Sequence, residues 1–92
     1  MTVALSVGAA VPAAHADLNW PAYDSCLGVI GIHYSDDPSD LARIGYHQYA
    51  AQALAAMKHG VSGDDVANDL VGQGLIRRAA DAIVECTIDT LM

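Results

Sequence analysis

The chain has 92 residues, 53% of them apolar, with one Trp, four Tyr and no Phe, and a formal net charge of −7 at pH 7. That length gives one small domain. The acidic balance excludes ready binding to nucleic acid or to anionic membrane surfaces, both of which call for a basic patch.

Residues 1–16, MTVALSVGAAVPAAHA, contain no Asp, Glu, Lys or Arg, so every charge lies in residues 17–92. Val3–Val11 is an apolar run with the length of a signal-peptide h-region, and Pro12 breaks it. Ala14-His15-Ala16 then fits the small-x-small pattern of a cleavage site, which places the mature start at Asp17. No basic residue precedes the run: either the leader lacks the usual charged start, or its start lies upstream. The alternative is a short apolar helix packed on the core. The run is too short to span a bilayer, which takes about 20 residues, and no other segment is long enough, so no stable membrane insertion is expected. The chain divides into a signal peptide, 1–16, and a single helical domain, 17–92. The expected location is secreted or in the cell envelope.

In the domain, helix patterns follow one another. Residues 20–30 put Trp20, Tyr23, Leu27 and Ile30 on one face, with Asn19 as cap and Pro21 in the first turn. Cys26 lies beside that face. LGVIGIHY, 27–34, is the one β-like run, and it can serve as a short extended exit from this helix. Asp37 as N-cap and Pro38 at N1 predict a second helix that runs to about His59, with Gly60 just past its end. Leu41, Ile44, Ala51, Leu54 and Ala55 form one apolar side of it, and Tyr46, Ala50, Ala53 and Met57 another. A helix apolar on two sides reads as the centre of the bundle. Ser62 and Asp65 form a capping box variant before a short helix that carries Val66, Leu70 and Val71 inward and stops near Gly72–Gly74. The last helix, 75–91, aligns Leu75, Ile76, Ala79, Ile83 and Cys86. The expected fold is all-α: a small four-helix domain.

A domain this small is marginal without a staple. Cys26 and Cys86 are the only cysteines, and an oxidising compartment would pair them. The bridge would close a loop of about 60 residues, worth at most roughly 4 kcal/mol in the chain-entropy picture. Pairing also requires the first and last helices to lie side by side.

Several of these features together resemble the small secreted mycobacterial proteins grouped as domain of unknown function 732. The carriers are Asp24 with Leu27, GIHY at 31–34 followed by Asp37, Gly45 before Tyr49, Leu54, HGVSGDDV at 59–66, AIVEC at 82–86 and the leader ending AHAD. Two departures stand out. Members typically place one cysteine in the second helix, where Tyr49 stands here, and often follow the C-terminal cysteine with Pro, where Thr87 stands here. The resemblance implies a compact helical export product with no assigned activity, and a relocated staple.

Candidate chemistry is sparse. His33, His47 and His59 lack metal-motif spacing. A packing histidine is the simpler reading of His47. A ligand site built from His33, Tyr34, Tyr46 and His47 is the sharper one, since His and Tyr are haem-ligand types. Asp36 and Asp37, like Asp64 and Asp65, read as helix and turn capping, because neither stretch has a calcium-loop pattern. No serine sits in a nucleophile elbow, and pairing would leave neither cysteine a free thiol. The expectation is therefore no enzyme and no cofactor. The leading role is a non-enzymatic interaction module, monomeric or weakly dimeric, for an extracytoplasmic protein. The second is a carrier of a small apolar ligand, haem or lipid, between helices.

Overall fold

The structure, a computed structural model, describes residues 18–91, and over these it is an all-α domain of four helices with a Cys26–Cys86 disulfide. The signal peptide read at 1–16 lies outside the described residues.

Helix α1 (Trp20–Ile30) starts on Asn19, whose Oδ1 accepts the Ala22 N–H, with Pro21 where a missing N–H costs nothing. It ends at Gly31, φ 106°, where the N–H groups of Gly31 and Ile32 close onto the Gly28 and Leu27 carbonyls. Glycine makes this left-handed closure without a Cβ clash. The LGVIGIHY run is thus helical through Ile30 and leaves the helix over 31–34.

Helix α2 (Leu41–Lys58) is capped by Asp40, not by Asp37. Asp37 is occupied in the preceding turn: its carboxylate accepts the Ser39 N–H and hydroxyl at 2.9 and 2.8 Å, and its carbonyl accepts the Asp40 N–H. Asp40 Oδ1 then accepts the Ala42 and Arg43 N–H groups at 2.8 and 3.2 Å. Gly60, at φ 91°, follows the end of α2 and lets Val61 close back onto the Ala56 carbonyl. Helix α3 (Gly63–Gly72) is capped by Ser62, whose Oγ accepts the Asp65 N–H.

Helix α4 (Arg77–Asp89) starts two residues later than its pattern suggests. Ile76 is still extended, at φ −70° and ψ 152°, so Leu75 and Ile76 belong to the connector. Ile76 is consequently exposed, whereas Leu75 is half-buried against the core. Ala79, Ile83 and Cys86 are buried as the pattern requires, and so are Ala80, Ala82, Val84 and Thr87.

The centre of the bundle is α4, which packs against α1, α2 and α3; the sequence reading puts α2 there. The reason is side-chain size. Around α4, alanines and Cys86 allow close approach on several sides, whereas Leu41 and Ala55 of α2 face solvent and Ile44 is half-buried. One core cluster joins α1, α2 and α4 through Tyr23, Leu27, Ala50, Leu54, Ala82 and Cys86. A second joins α2, α3 and α4 through Ala53, Val66, Leu70, Ala80 and Ile83.

The disulfide spans α1 and α4 with Cα atoms 5.7 Å apart, so the first and last helices lie side by side. Beside it Leu18 and Leu91 form an antiparallel bridge, with the Asn19 N–H on the Thr90 carbonyl at 3.0 Å. No described helix is long and apolar enough to cross a membrane.

Candidate functional site

Helices α1 and α2 share a core but never come close: none of their Cα pairs lies within 8 Å. Rings fill the gap. Trp20 stacks on His47 at 4.2 Å between centroids, Tyr23 meets both edge-on, and Tyr34 stacks on Tyr46 at 5.7 Å. Tyr34 also meets His47 edge-on, and Tyr49 meets Tyr46 the same way. Every Trp and Tyr of the chain thus belongs to one continuous ring cluster around His47.

Asp24 on α1 fixes this cluster. Its Oδ1 accepts the Tyr34 hydroxyl at 2.5 Å and lies 2.7 Å from His47 Nε2, which donates to it in the tautomer with a proton on that nitrogen. The Tyr23 hydroxyl donates to the Tyr46 carbonyl at 2.9 Å, tying α1 to α2 a second time. Burial holds the Tyr23 phenol well above its ordinary range, with the nearby Tyr34, Asp24 and Tyr46 adding to the effect. The Tyr34 phenol is raised too, first by burial and then by its hydrogen bond to Asp24.

At the outer edge of the ring cluster the gap opens into a groove of about 590 Å³. Pro21, Asp24, Ser25 and Gly28 form one wall, at i, i+3, i+4 and i+7 along α1. Ile32, His33, Tyr34 and Asp36 from the connector form the other, and Arg43 enters from α2. A Cβ placed on Gly28 would stand in ordinary contact, 3.6 Å, with the His33 ring, which lies close over the helix there.

Arg43 stands apart. Its guanidinium makes no ion pair or hydrogen bond to another described residue, although its charge acts on the Tyr34 phenol, and its Nε is shut off from solvent with no acceptor. It also occupies the first turn of α2, where the helix dipole opposes a positive charge.

The four ring residues singled out from sequence are brought together, but in two roles. His33 and Tyr34 line the groove. His47 is buried behind Asp24, and Tyr46 backs Tyr34. The described residues contain no group of three or more His, Cys, Asp or Glu placed to hold a metal ion. Asp24, Ser25 and Arg43 are members of the site that sequence reasoning passed over. For Arg43 a signal was available: a basic residue three positions after Asp40, within the first turn of the helix, runs against the helix dipole.

No family model, no curated protein and no solved structure matches the chain.

Proposed function

We propose that this chain is an exported interaction module of the cell envelope, without catalytic activity, that recognises an extracytoplasmic protein through the groove between α1 and α2. The observation that carries the reading is an open groove in which Asp24 and Tyr34 are held in place by the ring cluster, while the Arg43 side chain makes no ion pair or hydrogen bond to another described residue. A recognition site needs such groups fixed before the partner arrives, because ordering them on binding costs affinity. The disulfide supports an oxidising compartment and stiffens α1, which carries one wall of the groove. Export, the monomeric or weakly dimeric state, and kinship with the domain of unknown function 732 proteins are parts of the same proposal.

The carrier reading is less favoured. Haem or lipid calls for an enclosed, mostly apolar cavity, whereas this groove is open and lined by Asp24, Ser25, His33, Asp36 and Arg43.

The test is photo-crosslinking from position 36, on the groove rim, in the protein's own envelope or culture fraction. A discrete polypeptide adduct is expected, and it should disappear when Gly28→Leu fills the groove from its α1 wall. That substitution keeps the helix, since leucine is the better helix former by about 0.8 kcal/mol. An adduct that survives Gly28→Leu, or no polypeptide adduct at all, contradicts the proposal.

A further inference from the structure

Helices α2 and α3 meet through short side chains. Ala53 and Ala56 on α2 and Val66 and Leu70 on α3 border a pocket of about 280 Å³ between the two helices. Val61, from their connector, completes the apolar wall and stays 40% exposed. The polar members are Gln52, Asp65 and Asp69, and no basic residue lines the pocket. It shares no residue with the groove between α1 and α2.

Asp65 and Asp69 stand at i and i+4 on α3, where two like charges repel across one turn. No ion pair joins either to a described residue. Asp69 Oδ2 accepts the Gln73 amide at 3.1 Å, and the same nitrogen donates to Gln52 Oε1 at 3.2 Å, which ties α3 to α2 beside the pocket. The pocket is thus apolar inside, edged by carboxylates, and held on both sides.

We infer that this pocket receives an arginine side chain of a partner polypeptide, with its methylene stem against Ala56, Val61 and Val66 and its guanidinium on Asp65 and Asp69. The inference goes beyond the groove and does not depend on it. Size comes first: the volume falls just under the range of small-molecule sites, about 300–1,000 Å³, and suits one inserted side chain. Chemistry comes second. Long basic side chains bury an apolar stem and keep a charged head at the edge, which is the order of groups found here. Charge comes third, since a chain of −7 with two carboxylates on this rim attracts a cation. Arginine is favoured over lysine because its planar fork carries five donors and is more weakly hydrated, so it can serve two carboxylates at once.

The test is an NMR titration of the oxidised protein with acetyl-Ala-Arg-Ala-amide and with its citrulline, lysine and leucine counterparts. Citrulline keeps the shape of arginine without the charge. The arginine peptide should shift the Ala53, Ala56, Val66 and Asp69 amides. The other three should bind roughly threefold more weakly or worse, the scale of a charge pair near the surface. Asp65→Asn and Asp69→Asn should each weaken the arginine peptide by a similar factor. Glu85→Gln, which removes one exposed acid from α4, should leave binding unchanged and so separates the pocket from net charge. Ala56→Leu should fill the pocket, keep both carboxylates and abolish the shifts; the two aspartate variants test the inference independently of its packing. Equal binding of the citrulline, lysine or leucine peptide, undiminished binding by both aspartate variants, an equal loss in Glu85→Gln, or no localised shift at millimolar peptide would each overturn it.

Discussion

Tyr34 and Asp24 show how much of the site depends on single hydrogen bonds. The Tyr34 hydroxyl lies on the same carboxylate oxygen that faces His47, so one acid orients two rings from different parts of the chain. Tyr23 and Tyr34 are both held above the ordinary phenol value of 10.0, in each case chiefly by burial. The sign for stability follows. Unfolding returns both phenols to the ordinary value, so above pH 10 the unfolded chain releases protons that the folded chain keeps. This contribution is fully present below about pH 10 and is lost as pH rises beyond it. In an alkaline titration, the tyrosinate absorbance of these two residues should appear only together with loss of helical circular dichroism. Complete ionisation of all four tyrosines with helicity retained would contradict the burial of Tyr23 and Tyr34. Little of this was legible in the sequence. His33, Tyr34, Tyr46 and His47 could be singled out by residue type, but Asp24 lies 10 residues from Tyr34 and 23 from His47. No helical spacing links positions so far apart.

At the scale of elements, the helices and most of their caps were readable because capping is local. Asn19, Ser62 and Gly60 act within three or four residues of the groups they serve. The start of α2 was misplaced because Asp37 and Asp40 are both competent caps, and the turn through Ser39 decides between them. The choice of central helix failed for a different reason. Alanine scores as apolar but buries little area, so the two apolar sides of α2 overstated its burial, while Ala79, Ala80 and Ala82 made α4 the closest neighbour of every other helix. The α1–α4 pair, by contrast, followed from the two cysteines. It is closed by the disulfide at a Cα separation of 5.7 Å and reinforced by the Leu18–Leu91 bridge. Cys26→Ser should remove the loop constraint and leave a hydroxyl beside the Leu27 and Cys86 seam, costing about 2–5 kcal/mol. For a domain of this size that lowers the melting midpoint by about 10 °C or more. A Cys26→Ser variant that melts like the parent would mean that the staple does not support the α1–α4 pair.

For the whole molecule, one geometric fact connects stability with recognition. Small residues let α4 draw the other helices in, and the rings hold α1 and α2 apart; the groove is the open edge of that wider gap. The disulfide and the Leu18–Leu91 bridge tie α1 to α4, so the groove wall it carries is set before any partner arrives. The central claim, an exported and stapled module that binds a polypeptide, is tested most directly by native mass spectrometry of the protein recovered from its own secretion route. The expected species begins at Asp17, is two hydrogens lighter than its dithiol form, and carries a polypeptide that Gly28→Leu releases. A species that retains residues 1–16 with two free thiols, or one that carries a small apolar molecule in place of a polypeptide, would contradict it.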